Sequence, residues 1–225
     1  MENCDLCDMI IEIWSDIACP FCYLGFKQLE LAIVNFREAN PNYQNIDIVW
    51  KSFQLNPEAE YEPGKTVTQY LCEVKNLSEG QVNQMQSQIV EQGKNYNIDF
   101  QFDKTPVTNT QKAHALIHIA QKQGKGNECK IALFNHHFTY GNNVFDHSTL
   151  NKIANDLNID LSPWINPFED AELLQEIEED AYAAQQFNIR GVPYFIFNRA
   201  YAISGAHGEE TFFKVLETVR IKYDQ

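Results

Sequence analysis

The hydrophobic pattern opens with Ile10-Ile11-Glu12-Ile13-Trp14, a β-branched and aromatic run within Met9–Ser15 that is too short for a helix and predicts a strand. Cys22, Phe26, Leu29, Ile33 and Phe36 then recur at the spacing of a helix with one apolar face, which predicts a helix from about Cys19 to Ala39. Asn40-Pro41-Asn42 breaks it, and Ile46 to Phe53 reads as a second strand. A right-handed crossover would lay the two strands parallel. From about Pro63 to Phe168 the strand signals fade into helical segments punctuated by Gly80, Gly93, Thr105-Pro106, Gly124-Lys125-Gly126, Gly141 and Ser162-Pro163. The clearest of these helices is Asn109 to Gln123, with Ala113, Leu116, Ile117 and Ala120 on one face.

Strand-like sequence returns afterwards, so the helical stretch reads as an insertion. An acidic helix from Ala171 to Phe187 should end at Asn188, a residue that tolerates the left-handed position beyond a helix. The stretch Arg190 to Phe197 follows and places Pro193 at the mouth of a strong strand, and Tyr201 to Ser204 gives a second short one. A last helix from Gly208 to Tyr223 turns Phe212, Val215, Leu216 and Val219 inward. The expected organisation is an α/β chain in three stretches: 1–62 (β-α-β), 63–168 (helical insertion) and 169–225 (α-β-β-α).

With 225 residues the chain can bury a real core without staples, and six cysteines are too few for a disulfide scaffold. The first residues lack the basic flank and apolar run of a secretory signal, so the expected location is cytoplasmic. No stretch approaches the roughly eighteen consecutive apolar residues of a membrane span. The net charge of -14 argues against nucleic-acid and anionic-membrane partners, since phosphate binding needs concentrated Lys and Arg. Glu169-Asp170 and Glu176 to Asp180 are expected to form a solvated helix face.

Chemistry concentrates in Ser15-Asp16-Ile17-Ala18-Cys19-Pro20-Phe21-Cys22, where two thiols stand three residues apart at a strand-to-helix junction. Free N–H groups and the positive end of the helix dipole favour a thiolate on Cys19, and Pro20 suits the first helical position. The expectation is an exposed, lower-pKa nucleophile at Cys19 and a shielded Cys22 that resolves a mixed disulfide. Asp16 could cap the turn or take a proton from Cys22; capping is the more modest assignment.

These residues, together with Leu24-Gly25, Leu55-Asn56-Pro57, Gly191-Val192-Pro193 and Ser204-Gly205-Ala206, resemble the FrnE-like branch of the DsbA family of thiol–disulfide oxidoreductases. The likeness runs from about residue 9 to the C-terminus. It implies a thioredoxin-like fold with a large all-helical insertion, no resident cofactor or metal, and exchange with protein or small-molecule thiols and disulfides, glutathione being one candidate partner. In this fold Pro193 would be cis and pack against the cysteines, with Pro20, Phe21, Val192 and Pro193 meeting the substrate. Glutathione-dependent isomerases and kappa-class transferases share the layout but typically carry serine at the position of Cys19. A non-catalytic redox sensor or holdase is the third alternative.

Cys4 and Cys7 form a second C-x-x-C that could be an auxiliary redox pair, a local disulfide or nothing. A zinc ion shared with Cys19 and Cys22 is disfavoured, because a strand over Met9–Ser15 would separate the pairs by roughly 20 Å, whereas zinc thiolates lie within about 2.3 Å of the metal. His114 and His118, one helical turn apart, are expected to be exposed or capping, as are His136, His137 and His147. Cys72 and Cys129 should pack as small hydrophobes.

Overall fold

The computed structural model describes residues 9–223. Cys4 and Cys7 lie outside the described residues.

Strand β1 (Met9–Ser15) leads into α1 (Pro20–Ala39) and β2 (Ile46–Ser52), which pairs with β1 in parallel from Met9 opposite Ile46 to Ser15 opposite Ser52. There follow α2 (Val67–Lys75), α3 (Glu79–Lys94), α4 (Gln111–Lys122), α5 (Gly126–Phe134), a π-helical turn at Asn135–Thr139, α6 (His147–Asp156) and α7 (Ala171–Gln186). The chain closes with β3 (Tyr194–Phe197), β4 (Tyr201–Ser204) and α8 (Glu209–Tyr223). The sheet order is β2-β1-β3-β4, with β3 antiparallel to both neighbours.

Strand alternation divides the core. Ile11 and Ile13 face the large cluster that holds α1 and α8, while Trp14 and Ile196 pack with Ala184 and Ile189 around α7. The apolar stripe of α1 is buried throughout, from Cys22 through Phe26, Leu29 and Ile33 to Phe36. Sheet and helical segment share one continuous core: the Phe26 ring meets Trp50 of β2 edge-on at 4.7 Å, and Tyr23 stacks on Phe134 of α5 at 4.8 Å.

Two elements end as the sequence predicts, and one helix is more deeply buried than its pattern suggests. β3 starts at Tyr194, directly after Pro193, which has no N–H for the ladder and follows a bend at Gly191 and Val192. α7 stops at Gln186 with Asn188 left-handed at φ 55°. The Ile189 N–H bonds the Ala184 carbonyl at 2.8 Å and the Asn188 N–H that of Gln185 at 3.0 Å, closing the helix as a Schellman motif. α4 is buried on every side, not one, from Ala113 to Ala120. It is the axis of the helical segment, so a single apolar face underestimates it.

That burial corrects the histidine expectation. His114, His118, His136 and His137 are all buried, whereas His147 keeps about half its side chain in solvent. The acidic run is also not wholly solvated: Glu178 and Glu179 are exposed, but Asp180 is buried, its backbone carbonyl accepting from Trp14 Nε1 and its carboxylate from the Ser52 N–H. Among the described residues no helix is long and apolar enough to cross a membrane.

Candidate active site

Cys19 is the N-cap of α1, with Pro20 in the first turn and Cys22 one turn on, heading the buried stripe. The loop before it is tightened by the Cys19 N–H, which donates to the Asp16 carbonyl at 3.2 Å. Phe21 stands 44% exposed at the tip and Pro20 is half-buried. Both cysteines are free thiols.

Across from them, the Val192–Pro193 peptide bond is cis. The Cys19 thiol donates to the Val192 carbonyl at 3.5 Å, spanning 173 positions of sequence. Gly25 makes this approach available. A Cβ there would lie 3.2 Å from Phe195, 3.3 Å from Pro193 and 3.4 Å from Ala206, so a side chain would push α1 away from the proline loop.

The expectation of an exposed, low-pKa Cys19 is corrected by this packing. Cys19 is only 5% exposed, because the Val192–Pro193 loop covers it. The hydrogen bond with Cys22, then burial and the charge of that neighbour, push the Cys19 thiol well above the ordinary cysteine range, against the opposing pull of the Cys22 backbone N–H. Asp16 adds a smaller push in the same direction.

Asp16 is itself buried, directly before the thiol loop. Its carboxylate accepts from the Ala18 N–H at 3.3 Å and from the Leu55 N–H at 2.7 Å, so it caps the turn and anchors the Leu55-Asn56-Pro57 loop beside the cysteines. His114 Nε2 of α4 faces the same carboxylate at 3.5 Å. Burial would raise the Asp16 pKa, but the facing His114, the Leu55 amide and Thr110 outweigh it and hold the carboxyl below its usual range. Burial pulls His114 below the usual imidazole range despite Asp16. His137, in the π-helical turn, is brought down to about 4 by burial. Three buried polar atoms of this region lack a hydrogen-bond partner: Ser15 Oγ, His114 Nε2 and His137 Nδ1. Among the described residues no three His, Cys, Asp or Glu side chains converge where they would hold a metal ion.

A dithiol at a helix start, packed under a cis-proline loop, is an arrangement suited to disulfide exchange, and comparison with known proteins places it. The DSBA-like thioredoxin domain matches residues 10–217. The chain belongs to the DSBA-like thioredoxin family. Among solved structures it resembles a probable DsbA oxidoreductase, SCO1869, from Streptomyces coelicolor, with 28% identity over 94% of this chain and 90% of that one and a TM-score of 0.85. Its sequence is 26% identical to the uncharacterized protein YwbO of Bacillus subtilis strain 168, over 92% of this chain and 94% of that one. A 2-hydroxychromene-2-carboxylate isomerase shares the fold at 13% identity and a TM-score of 0.65, covering 96% of this chain and 97% of the other.

Within this DSBA-like chain, the structure brings Cys19, Cys22, Pro20, Phe21, Asp16, Val192 and Pro193 to one end of the sheet. Sequence reasoning missed the contribution of the helical segment: His114 from α4, Lys130 from α5 and His137 from the π-helical turn. The signal available for His114 was its place in the run Ala113 to Ala120, which is apolar but for His114 and His118. Lys130 likewise interrupts Cys129 to Phe134. Cys129 is buried, with its thiol raised to about 12 by burial, and Cys72 is half-buried on α2.

Proposed function

We propose that this protein is a thiol–disulfide oxidoreductase in which Cys19 attacks and Cys22 resolves. The observation that carries the roles is positional: the Cys19 sulfur is in contact with the Val192 carbonyl at the cis-proline loop, while Cys22 heads the buried stripe of α1. An extended substrate could pair its backbone with Val192 while its sulfur meets Cys19.

In the reducing direction the Cys19 thiolate attacks one sulfur of a substrate disulfide, breaking that S–S bond and forming a mixed disulfide as the other sulfur leaves as a thiolate. Cys22 loses its proton and attacks Cys19, forming the Cys19–Cys22 bond and expelling the second substrate sulfur. The substrate gains two electrons and two protons, and the protein pair loses them. Oxidation of substrate thiols is the same sequence reversed. The substrates are protein or small-molecule thiols and disulfides, with glutathione as the candidate small-molecule partner. The cytoplasmic setting expected from the sequence is part of this proposal.

The reading is tested with the single-cysteine variants in a protein-disulfide reduction assay. Cys19→Ser should abolish turnover, and Cys22→Ser should accumulate mixed disulfides visible by mass. Full activity in Cys19→Ser overturns it. The isomerase likeness supplies the competing outcome, stoichiometric glutathione binding without any turnover of the Cys19–Cys22 pair.

A further inference from the structure

Lys130 is 1% exposed, and its ammonium lies over two rings, 4.9 Å from the centroid of Trp50 and 5.2 Å from that of Phe134. No carboxylate comes within ion-pair distance of it among the described residues. The same two rings touch the α1 face that holds Cys22: Trp50 meets Phe26, and Phe134 stacks on Tyr23. A buried ammonium without a direct counter-ion is costly, and it persists where a nearby group offsets it in at least one functional state.

The charges that act on it come from several elements. Cys22 and Cys19 act from α1 and its N-cap, Asp16 from the turn after β1 and Cys129 from α5 itself, and the charge of Lys130 in turn lowers His114 of α4. Burial pulls Lys130 down to about 8, while Cys22 first, then Asp16, Cys129 and Cys19, draw it back up. Asp16 is already engaged by His114. The remaining negative charge that can appear here and vanish again is a thiolate of the redox pair, to which the dithiol form can ionise and the disulfide cannot.

We propose that Lys130, delivered by the helical segment between β2 and β3, is a positioning residue that sets the charge balance of the Cys19–Cys22 pair and favours its thiolate form over its disulfide. This rests on the reading of that pair as redox-active. Reduction of the Cys19–Cys22 disulfide by two glutathione thiols breaks its S–S bond and forms that of glutathione disulfide. Two electrons and two protons pass to the pair, and one proton is released when a sulfur ionises. Lys130 acts on that last equilibrium, and through it on the potential.

The first measurement needs no variant. The ammonium of Lys130 is titrated by NMR in the oxidised and the reduced wild-type protein, and its midpoint should be lower in the oxidised form by about one pH unit, because a disulfide cannot ionise to a thiolate beside it. Coupling is reciprocal. Lys130→Met should therefore raise the thiolate midpoint, read by ultraviolet absorbance against pH, and shift the glutathione equilibrium about tenfold towards the disulfide, a potential about 30 mV more negative. Lys130→Arg should restore both. A purely structural lysine would change the stability of both redox forms equally and leave the titration alone. An equal Lys130 midpoint in the two forms overturns the proposal even if Lys130→Met fails to fold. Wild-type protein that does not exchange with glutathione or a protein disulfide defeats the redox reading instead.

Discussion

Helix α4 carries two buried histidines one turn apart, and they live in opposite circumstances. His118 is saturated: Nδ1 faces Glu176 at 3.0 Å, and Nε2 faces Ser52 Oγ at 3.0 Å and Asp180 at 3.3 Å. Asp180 in turn binds Lys51 at 2.9 Å and the Ser52 N–H at 2.8 Å. His114 has only the 3.5 Å approach to Asp16, its Nε2 satisfies no hydrogen-bond geometry, and an unpaired lysine lies nearby. The first network ties β2, α4 and α7 together and leaves nothing free to change. The second leaves charge unbalanced beside two thiols whose own charge alternates with redox state. Completeness of pairing thus separates a structural pin from a functional reservoir, although both are built from the same residue types.

The largest test of that division is Asp180→Ala. It strands Lys51, the Ser52 N–H and His118 without their carboxylate, and breaking a buried pair in this way should cost about 3–5 kcal/mol, measured by urea unfolding. The thiol titration and the exchange rate of the folded fraction should not move. A change in either would mean that the two networks are coupled.

The acid limb of stability tests the other side. His137 is held at about 4 against 6.5 unfolded, so the folded state resists protonation. Its contribution is complete above pH 6.5 and is lost as pH falls from there towards 4, up to about 3 kcal/mol. His114 is depressed too and acts with the same sign. His137→Leu should flatten the loss of stability between pH 6.5 and 4. An unchanged pH profile in that variant would show that this imidazole is not buried neutral.

The contrast between the two histidines also marks how far the sequence could be read. β1, the stripe of α1, α8 and the thiol pair were legible because each is a local pattern with a period of two or 3.6, or a fixed spacing. The burial of His114 and His118 was not, because a helix enclosed on all sides has no polar face for the pattern to reveal, and histidine reads as polar. Cys19 fails for a different reason: its cover comes from Val192, 173 positions away. Lys130 is the extreme case, since an isolated lysine in an apolar helix usually reaches solvent, and only the packing of Trp50 and Phe134 around it shows otherwise.

Asp16→Asn probes the loosely paired site with a smaller perturbation. Asparagine keeps an acceptor for the Leu55 N–H but removes the charge that faces His114 and Cys19. The expected stability loss is about 1–2 kcal/mol. The Cys19 thiol midpoint should fall, because the Asp16 charge is one of the groups holding it up. A rise in that midpoint would show that Asp16 acts on the thiol through some path other than its charge.

The smallest effect is expected at Ser52. Its Oγ lies 3.0 Å from His118 Nε2 while His118 Nδ1 faces Glu176, so by distance alone Ser52, His118 and Glu176 reproduce the connectivity of a hydrolase triad. Burial and prior commitments decide against that chemistry. Ser52 is 3% exposed, its N–H is spent on Asp180, and His118 Nε2 is shared with the Asp180 carboxylate, which leaves no free base and no donor for an oxyanion. Ser52→Ala should cost about 1 kcal/mol, the net worth of one hydrogen bond. Thiol titration and disulfide exchange should be unaltered, and an active-site fluorophosphonate should label neither wild type nor variant. Labelling that disappears in Ser52→Ala would turn the saturated network into a second reactive site and end the division drawn between the two histidines.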